Sequence, residues 1–493
     1  MSKTTPYRVR IRMYRQGLGD CFLVSFRGKG GPVHALIDCG TLGAKMTEVT
    51  MKEVVADIRR ETGDHLHLLV ATHEHKDHVS GFRTEREQFD AFRVDRVWAA
   101  WTENPRDPDA GKIRKYKGDL VTAVALAAQA LADADEGDPV REMRVGMRDV
   151  LGFVGDVPPG DEPFAAKEVA RTVNEAMTYV TQRAGKDGVD FLEPGQVLEP
   201  AWLPGIRVYV LGPPRSEAAL RNLGDHHSPE LYHAAANLGT ELASAITFGA
   251  SGQSFPEYLK ALEGDERQAF ERRLPFDRRF RMETAEETLC RERFAGYYDE
   301  ASAWRKIDAD WLSGASDLAL QLDSYTNNTS LALAVELIGD GRVLLFAADA
   351  QLGNWASWHT LTFRVTEADG TARDVTAADL LRRAAFYKVG HHASHNATVN
   401  EKGLELMERG DLVAMIALDH EVAINKRPHK WEMPAPALYR RLLEKTQGRV
   451  LRSDIGWADD EAAERVLPAA ERAAGRKGTD VDVTPLYVEL RIS

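Results

Sequence analysis

Residues 70–81 read VATHEHKDHVSG and hold three histidines and an aspartate, His73, His75, Asp77 and His78, within six positions. In extended backbone, residues two apart point the same way, so His73 and His75 can share one ion while Asp77 and His78 face a second. Imidazole and carboxylate donors without a thiolate suit zinc, manganese or iron. Two such ions side by side would activate a bridging water as a nucleophile. A solvated polar loop is the ordinary reading of a single histidine. Four donors in this register, directly after the apolar stretch HLHLLVAT, favour metal ligation instead. His65 and His67 inside that stretch, His226 and His227 in GDHHSPE, and His233, His359 and His420 have no such setting and are expected at the surface or in packing.

A dinuclear site needs more donors than one loop supplies. RVLLFAADA is an apolar strand signal ending in Asp349, and FYKVGHHASH ends in His391 and His392. A carboxylate oxygen can bridge two cations, a role for which Asp349 is placed. Another imidazole would complete the second ion's ligands. Asp38, at the end of HALIDCG, could hold a ligand imidazole or a water by hydrogen bonding, or serve simply as a turn residue.

The elements that must position these groups are legible as apolar or alternating segments. YRVRIRMY, DCFLVSF, VHALIDCG and HLHLLVAT read as strands early in the chain; IRVYVLGPP, TSLALAVELI, RVLLFAADA, RAAFYKVG, LVAMIAL and TPLYVELRIS do so later. In the first of them Tyr7, Val9, Ile11 and Met13 share one face and Arg8, Arg10 and Arg12 the other. KMTEVTMKEVVADIRRETG reads as a helix stopped by Gly63, and PAPALYRRLLEKTQG repeats that pattern. From about 102 to 199 and from about 216 to 317, alanine, charge and helical periodicity dominate. These blocks read as helical insertions into one β-rich domain spanning 1–493, because chemically interesting residues fall on both sides of them.

The 493 residues are 43% hydrophobic and 28% charged, ordinary globular composition. No apolar run approaches the roughly 18 residues of a membrane span, and MSKTTPYRVRIRMY has no apolar signal core, so a cytoplasmic protein without membrane contact is expected. Cys21, Cys39 and Cys290 are too far apart and too few for a disulfide framework or thiolate zinc site; buried, inert thiols are expected. A net charge of -13 argues against a broad nucleic-acid-coating surface, although bound cations could still attract phosphate.

Taken in order, LIDCG, THEHKDH, LLFAAD and KVGHHAS resemble the metallo-β-lactamase superfamily. Within it the chain looks like the hydrolase domain of the bacterial competence DNA-uptake channel and its soluble relatives. The supporting motifs are GLGDCFLVSF with Asp20, NNTSLALAV from Asn327 to Val335, Pro428 and His429 before a helix, and VLRSDIGW with Asp454 as the matching acid. The resemblance covers about 7–101 and 202–457. It implies an α/β fold, a four-layer αββα sandwich with metals at one edge of the paired sheets; beyond the resemblance, residues 480–493 read as a C-terminal strand. The resemblance carries ligand roles to His73, His75, Asp77, His78, Asp349 and His392, with His391 the alternative to His392. Leu18, Ala348 and Ala393 depart from the family's usual glutamine, glycine and glycine, and none removes a ligand. No third-motif histidine is evident; water, or His226 or His227, could complete that ion.

The function this implies is a metal-dependent phosphodiesterase or nuclease, DNA favoured, using two divalent ions, Zn2+ first and Mn2+ second. Asp77, Asp349 and His429 are the expected catalytic residues; His429, Asn328 and Ser330 could contact phosphate or protonate the leaving group, while a strand-entry turn explains Asn328 and Ser330 equally well. A small-molecule ester or thioester hydrolase is the second class. Iron redox chemistry is disfavoured because the motif's second histidine, His75, is present. A regulated effector whose insertions dock a protein partner is a further alternative, with the basic run Arg272 to Arg281 the best local phosphate-facing candidate and a solvated helix face its simpler explanation.

Overall fold

The computed structural model describes residues 8–42, 48–130, 139–158, 164, 166–185, 188–222, 293, 310–367, 369–424 and 431–493. His226, His227, His233, Arg272 to Arg281, Cys290, Pro428 and His429 lie outside them.

The strands in chain order are β1 (Val9–Tyr14), β2 (Phe22–Gly28), β3 (Gly31–Ile37), β4 (His65–Ala71), β5 (Arg93–Ala100), β6 (Val189–Leu192), β7 (Val197–Leu198), β8 (Ile206–Gly212) and β9 (Ala332–Leu337). They continue as β10 (Val343–Phe346), β11 (Thr362–Thr366), β12 (Ala372–Thr376), β13 (Ala384–Lys388), β14 (Val413–Ile416), β15 (Val450–Arg452), β16 (Gly456–Trp457), β17 (Asp480–Val483) and β18 (Tyr487–Ile492). One sheet runs β17-β18-β1-β2-β3-β4-β5-β6, the other β16-β15-β14-β13-β10-β9-β8-β7, and β11 pairs with β12 apart from both. Alternation decides which side chains meet. Val9, Ile11 and Met13 of β1, with Val24, Leu68 and Val70, face Val208, Leu333, Leu344, Phe386 and Met415 of the other sheet. Leu36, Leu69 and Val97 on the outer face of the first sheet pack under Val54, Ile58, Val124 and Val173 from helices. Leu345, Tyr387 and Ala414 do the same under Trp355, Leu380 and Leu442. The result is an α/β sandwich.

Every stretch read as a strand contains one. The helix Met51–Thr62 starts from a capping box at Thr50 and Glu53 and stops at Gly63, whose φ of 62° is left-handed. Arg12 differs from a solvated outward arginine: it is buried, with Nε donating to Glu489 Oε2 at 2.8 Å and NH1 to Asp57 Oδ2 at 2.6 Å. Cys21 and Cys39 are buried free thiols.

Two boundaries need correction. The block at 102–199 holds the helices Pro108–Ala130, Pro139–Val154 and Ala166–Gln182, but it ends in β6, which extends the first sheet through Val97↔Val189, and in β7, which edges the second. Their sequences VDFL and VL are too short to stand out amid charge. The helix Asp310–Asn328 runs past 317 and takes in Asn327 and Asn328, so the Asn-Asn motif ends a helix and the strand begins only at Ala332.

The parallel pairs β3–β4 and β4–β5 in one sheet, and β10–β13, β13–β14 and β14–β15 in the other, set the functional geometry. Parallel strands end on one side, so the residues after β3, β4, β10 and β13 gather there. Ligands commonly bind outside the carboxyl ends of such strands.

Candidate metal centre

Past β4 the chain runs through Thr72 and His73 to His75, which N-caps the helix Lys76–Thr84 and puts Asp77 and His78 in its first turn. The turn before β2 and the turn after β3 are pressed against this helix start. A Cβ on Gly19 would lie 2.6 Å from Asp77 O, and one on Gly40 2.4 Å from His78 N, so both positions require glycine. The Asp20 N–H donates to Asp77 O at 2.9 Å and the Cys39 N–H to His78 O at 2.8 Å.

The second sheet supplies the rest. Asp77, His78, Asp349 and His392 are fully buried, each offers a ligand atom within 4.8 Å of the others, and together they could hold a metal ion. His78 Nε2 lies 2.9 Å from Asp349 Oδ2, and His392 Nε2 2.8 Å from Asp77 Oδ2. The far nitrogen of each imidazole is fixed. His78 Nδ1 faces Asp38 Oδ2 at 2.7 Å, and His392 Nδ1 faces Ala417 O at 2.5 Å. A proton on Nδ1 answering these acceptors leaves the Nε2 lone pair for a cation. Asp38 is itself held by Thr72, whose amide and hydroxyl donate at 2.8 and 2.7 Å.

His73 Nε2, both ring nitrogens of His75 and Asp77 Oδ1 are buried without a hydrogen-bond partner. Native interiors rarely leave such atoms orphaned, because desolvation then goes uncompensated. The His73 ring lies 4.8 Å from that of His75 and 4.1 Å from that of His78, centroid to centroid. Burial, then the neighbouring imidazoles, pushes His73 well below the ordinary histidine range; burial lowers His75 as well. Both rings are therefore neutral, the form that ligates. Burial opposes charge on Asp77, but His78 and His392 hold it down to about 2. Neutral rings at His73 and His75, an ionised Asp77 and unsatisfied lone pairs fit a divalent cation. Burial disfavours charge on His78 and His392, but their carboxylate neighbours raise their proton affinity, and each would give up a proton to a cation bound at Nε2.

Asp349 is oriented by three hydrogen bonds. Its Oδ1 accepts from Lys388 Nζ at 3.1 Å and from the His391 N–H at 2.8 Å, while its own N–H donates to Ser330 Oγ at 3.3 Å. Lys388 also pairs with Asp20 and donates to Ala348 O at 3.0 Å. Asp20 thus stands beside the group as a counter-ion to Lys388, and its Oδ1 is unpartnered.

Several site expectations change. His391 does not join the ligand group: its Nδ1 meets Ser394 Oγ at 2.8 Å, and it serves Asp349 through its backbone. Asn328 is committed to structure, donating to Leu220 O and Asn222 O at 3.1 and 3.2 Å and accepting the Asn354 N–H at 3.1 Å, which leaves nothing for a phosphate. Ser330 holds the Asp349 amide. Asp454 pairs with Arg452 at 2.6 Å and caps the His420 amide at 3.1 Å. His420 packs on Met433 O at 2.7 Å, and His359 on Lys402 O at 2.6 Å.

Lys388, Thr72 and two contacts from the helical block escaped sequence reading. Lys117 reaches Glu74, between His73 and His75, at 2.5 Å, and the Phe153 ring lies 5.7 Å from that of His75 and stacks on Trp431 at 4.9 Å. An apolar strand ending in lysine carries no sign of which anions it will meet, and a long helix none of which loop it will touch. A cleft of about 1480 Å3, lined by Gly17, Leu418, His420, Met433, Tyr439 and Asp454 among others, adjoins the strand end at Ala417.

Compared with protein-family models and with curated proteins, the chain matches no family model and no curated protein.

Proposed function

We propose that this chain is a metal-dependent hydrolase of the metallo-β-lactamase type, with a four-layer αββα core, that cleaves phosphodiesters, DNA being the favoured substrate. The observation that carries the reading is the buried convergence of Asp77, His78, Asp349 and His392 from two sheets, with unpartnered His73 and His75 nitrogens alongside. The first four residues would hold one divalent cation and His73 and His75 would begin a second, zinc before manganese. Bound there, such cations supply Lewis acidity toward phosphoryl oxygens and acidify a coordinated water.

The chain's own residues do the rest. Asp38 and the Ala417 carbonyl lock the His78 and His392 rings, and Lys388 balances Asp20 and Asp349. Complete burial of the donor set keeps bulk water from competing for them. Preference for a phosphodiester rests on the motif resemblance and on the histidine directly after Asp77.

The test measures metal content together with hydrolysis of bis-p-nitrophenyl phosphate and of linear DNA, for the parent and for Asp77→Ala. Loss of metal and of cleavage in a folded variant supports the reading. Equal activity in both proteins removes it.

A further inference from the structure

A second set of nitrogen and oxygen donors lies at the other end of β4. His65, His67 and Asp95 each present a ligand atom within 4.8 Å of the other two, and all three are partly exposed. The geometry follows from strand register. His65 and His67 are two apart in β4, while the pairs Leu66↔Val94 and Leu68↔Arg96 bring Asp95 of β5 beside His67. His65 Nε2 meets Asp95 Oδ2 at 2.7 Å, and the two imidazoles stack with centroids 4.1 Å apart. Arg93 Nε donates to Asp95 Oδ1 at 2.9 Å, which leaves Oδ2 turned to the histidines. His34 on β3 flanks the group, its ring 6.2 Å from that of His67.

We propose that His65, His67 and Asp95 form a separate binding site for a divalent transition-metal ion of the borderline class: Zn2+, Ni2+ or Cu2+. Two imidazoles and a carboxylate, with solvent at the remaining positions, are the donor set these ions prefer. Burial and the adjacent His65 lower the proton affinity of His67, so its ring is neutral at pH 7, and Asp95 is ionised. Coordination through the His67 ring gives up one contact, the 3.2 Å hydrogen bond from the His34 amide to His67 Nδ1. No residue of the Asp77 group takes part, so this site stands whether or not the hydrolase reading does.

The experiment titrates the chelator-stripped full-length protein with Zn2+ by calorimetry and records Cu2+ electron paramagnetic resonance. It compares the parent, His65→Ala/His67→Ala and Asp77→Ala/His392→Ala. Expected is one weaker Zn2+ equivalent that survives in Asp77→Ala/His392→Ala, gives a two-nitrogen Cu2+ signal there, and is missing from His65→Ala/His67→Ala. Unchanged Zn2+ stoichiometry and affinity in His65→Ala/His67→Ala overturns the proposal; the group is then an ordinary ion pair beside a stacked histidine. If a double variant fails to fold, His67→Gln decides: weakening of that equivalent by more than about tenfold supports the site, and retention overturns it.

Discussion

Asp38 adopts φ 55° at the end of β3, and its carboxylate lies on both Thr72 and His78. A non-glycine residue in left-handed backbone is strained, and such strain persists where its surroundings fix it. The same holds for Ala348 at 50°, His391 at 44°, His392 at 52° and Ala393 at 62°, all at strand ends around the donor group. Ala348 and Ala393 are the positions where the resembling family carries glycine, so the sequence departs there in residue but keeps the backbone that glycine suits. Loss of the orienting carboxylate charge should be felt by the metal: Asp38→Asn is expected to weaken Zn2+ binding by about 10- to 100-fold, measured by competition with a chromophoric chelator, with circular dichroism unchanged. At this scale the donor types of the loop were readable from their density, but not their directions: Asp77 and His78 reach the group from the first turn of the helix Lys76–Thr84, not from extended backbone. The choice of His392 over His391 was not readable either, since it depends on a left-handed turn that residue type alone does not specify.

Among the elements, the helices Pro108–Ala130 and Pro139–Val154 act on the His73–His78 loop rather than standing apart from the β frame. Lys117 is the cation paired with Glu74, both nearly buried. Lys117→Met should strand that carboxylate, at a cost of about 3 kcal/mol, read from denaturant unfolding; an unchanged midpoint would place Glu74 in solvent. Glu103 adds a pH dependence. Burial, then the charge of Glu74, raises its pKa from 4.5 to about 7. Below the unfolded value both states hold the proton and folding is unaffected. As pH rises toward 7 the unfolded chain ionises first, so stability falls, and the full penalty applies above the folded value. Glu103→Gln is therefore expected to raise Tm at pH 8 and leave it nearly unchanged at pH 4.5. An equal effect at both pH values would assign the change to packing. These couplings were invisible in sequence because a buried lysine–glutamate pair 43 positions apart has the same composition as two solvated charges. β5 was missed for a related reason: its opening RVDR mixes charge with apolar residues until it enters the core.

At the scale of the whole molecule, the two-sheet frame was legible because largely apolar strands such as β9, β13 and β14, buried along their whole length, have few alternatives to burial on both faces. How the first sheet is completed was less so, since it depends on pairings between the two ends of the chain, from Val9↔Ile492 to Tyr14↔Tyr487 along β1 and β18. The donor group joins the two sheets: His78 and Asp77 follow the first, Asp349 and His392 the second. A cation held by all four would tie the sheets together and bind the native state only. At a free ion concentration about 100 times Kd, such linkage contributes about 2.7 kcal/mol, which for a chain of this length moves Tm by about 3 °C. Chelation is accordingly expected to lower the Tm of the parent by about that amount, reversibly on adding Zn2+, and to move Asp77→Ala/His392→Ala by clearly less, the remainder coming from the weaker ion at His65, His67 and Asp95. An equal shift in both proteins, followed by scanning calorimetry, would locate the stabilising ion elsewhere, and the exposed group at His65, His67 and Asp95 would then be the place to look.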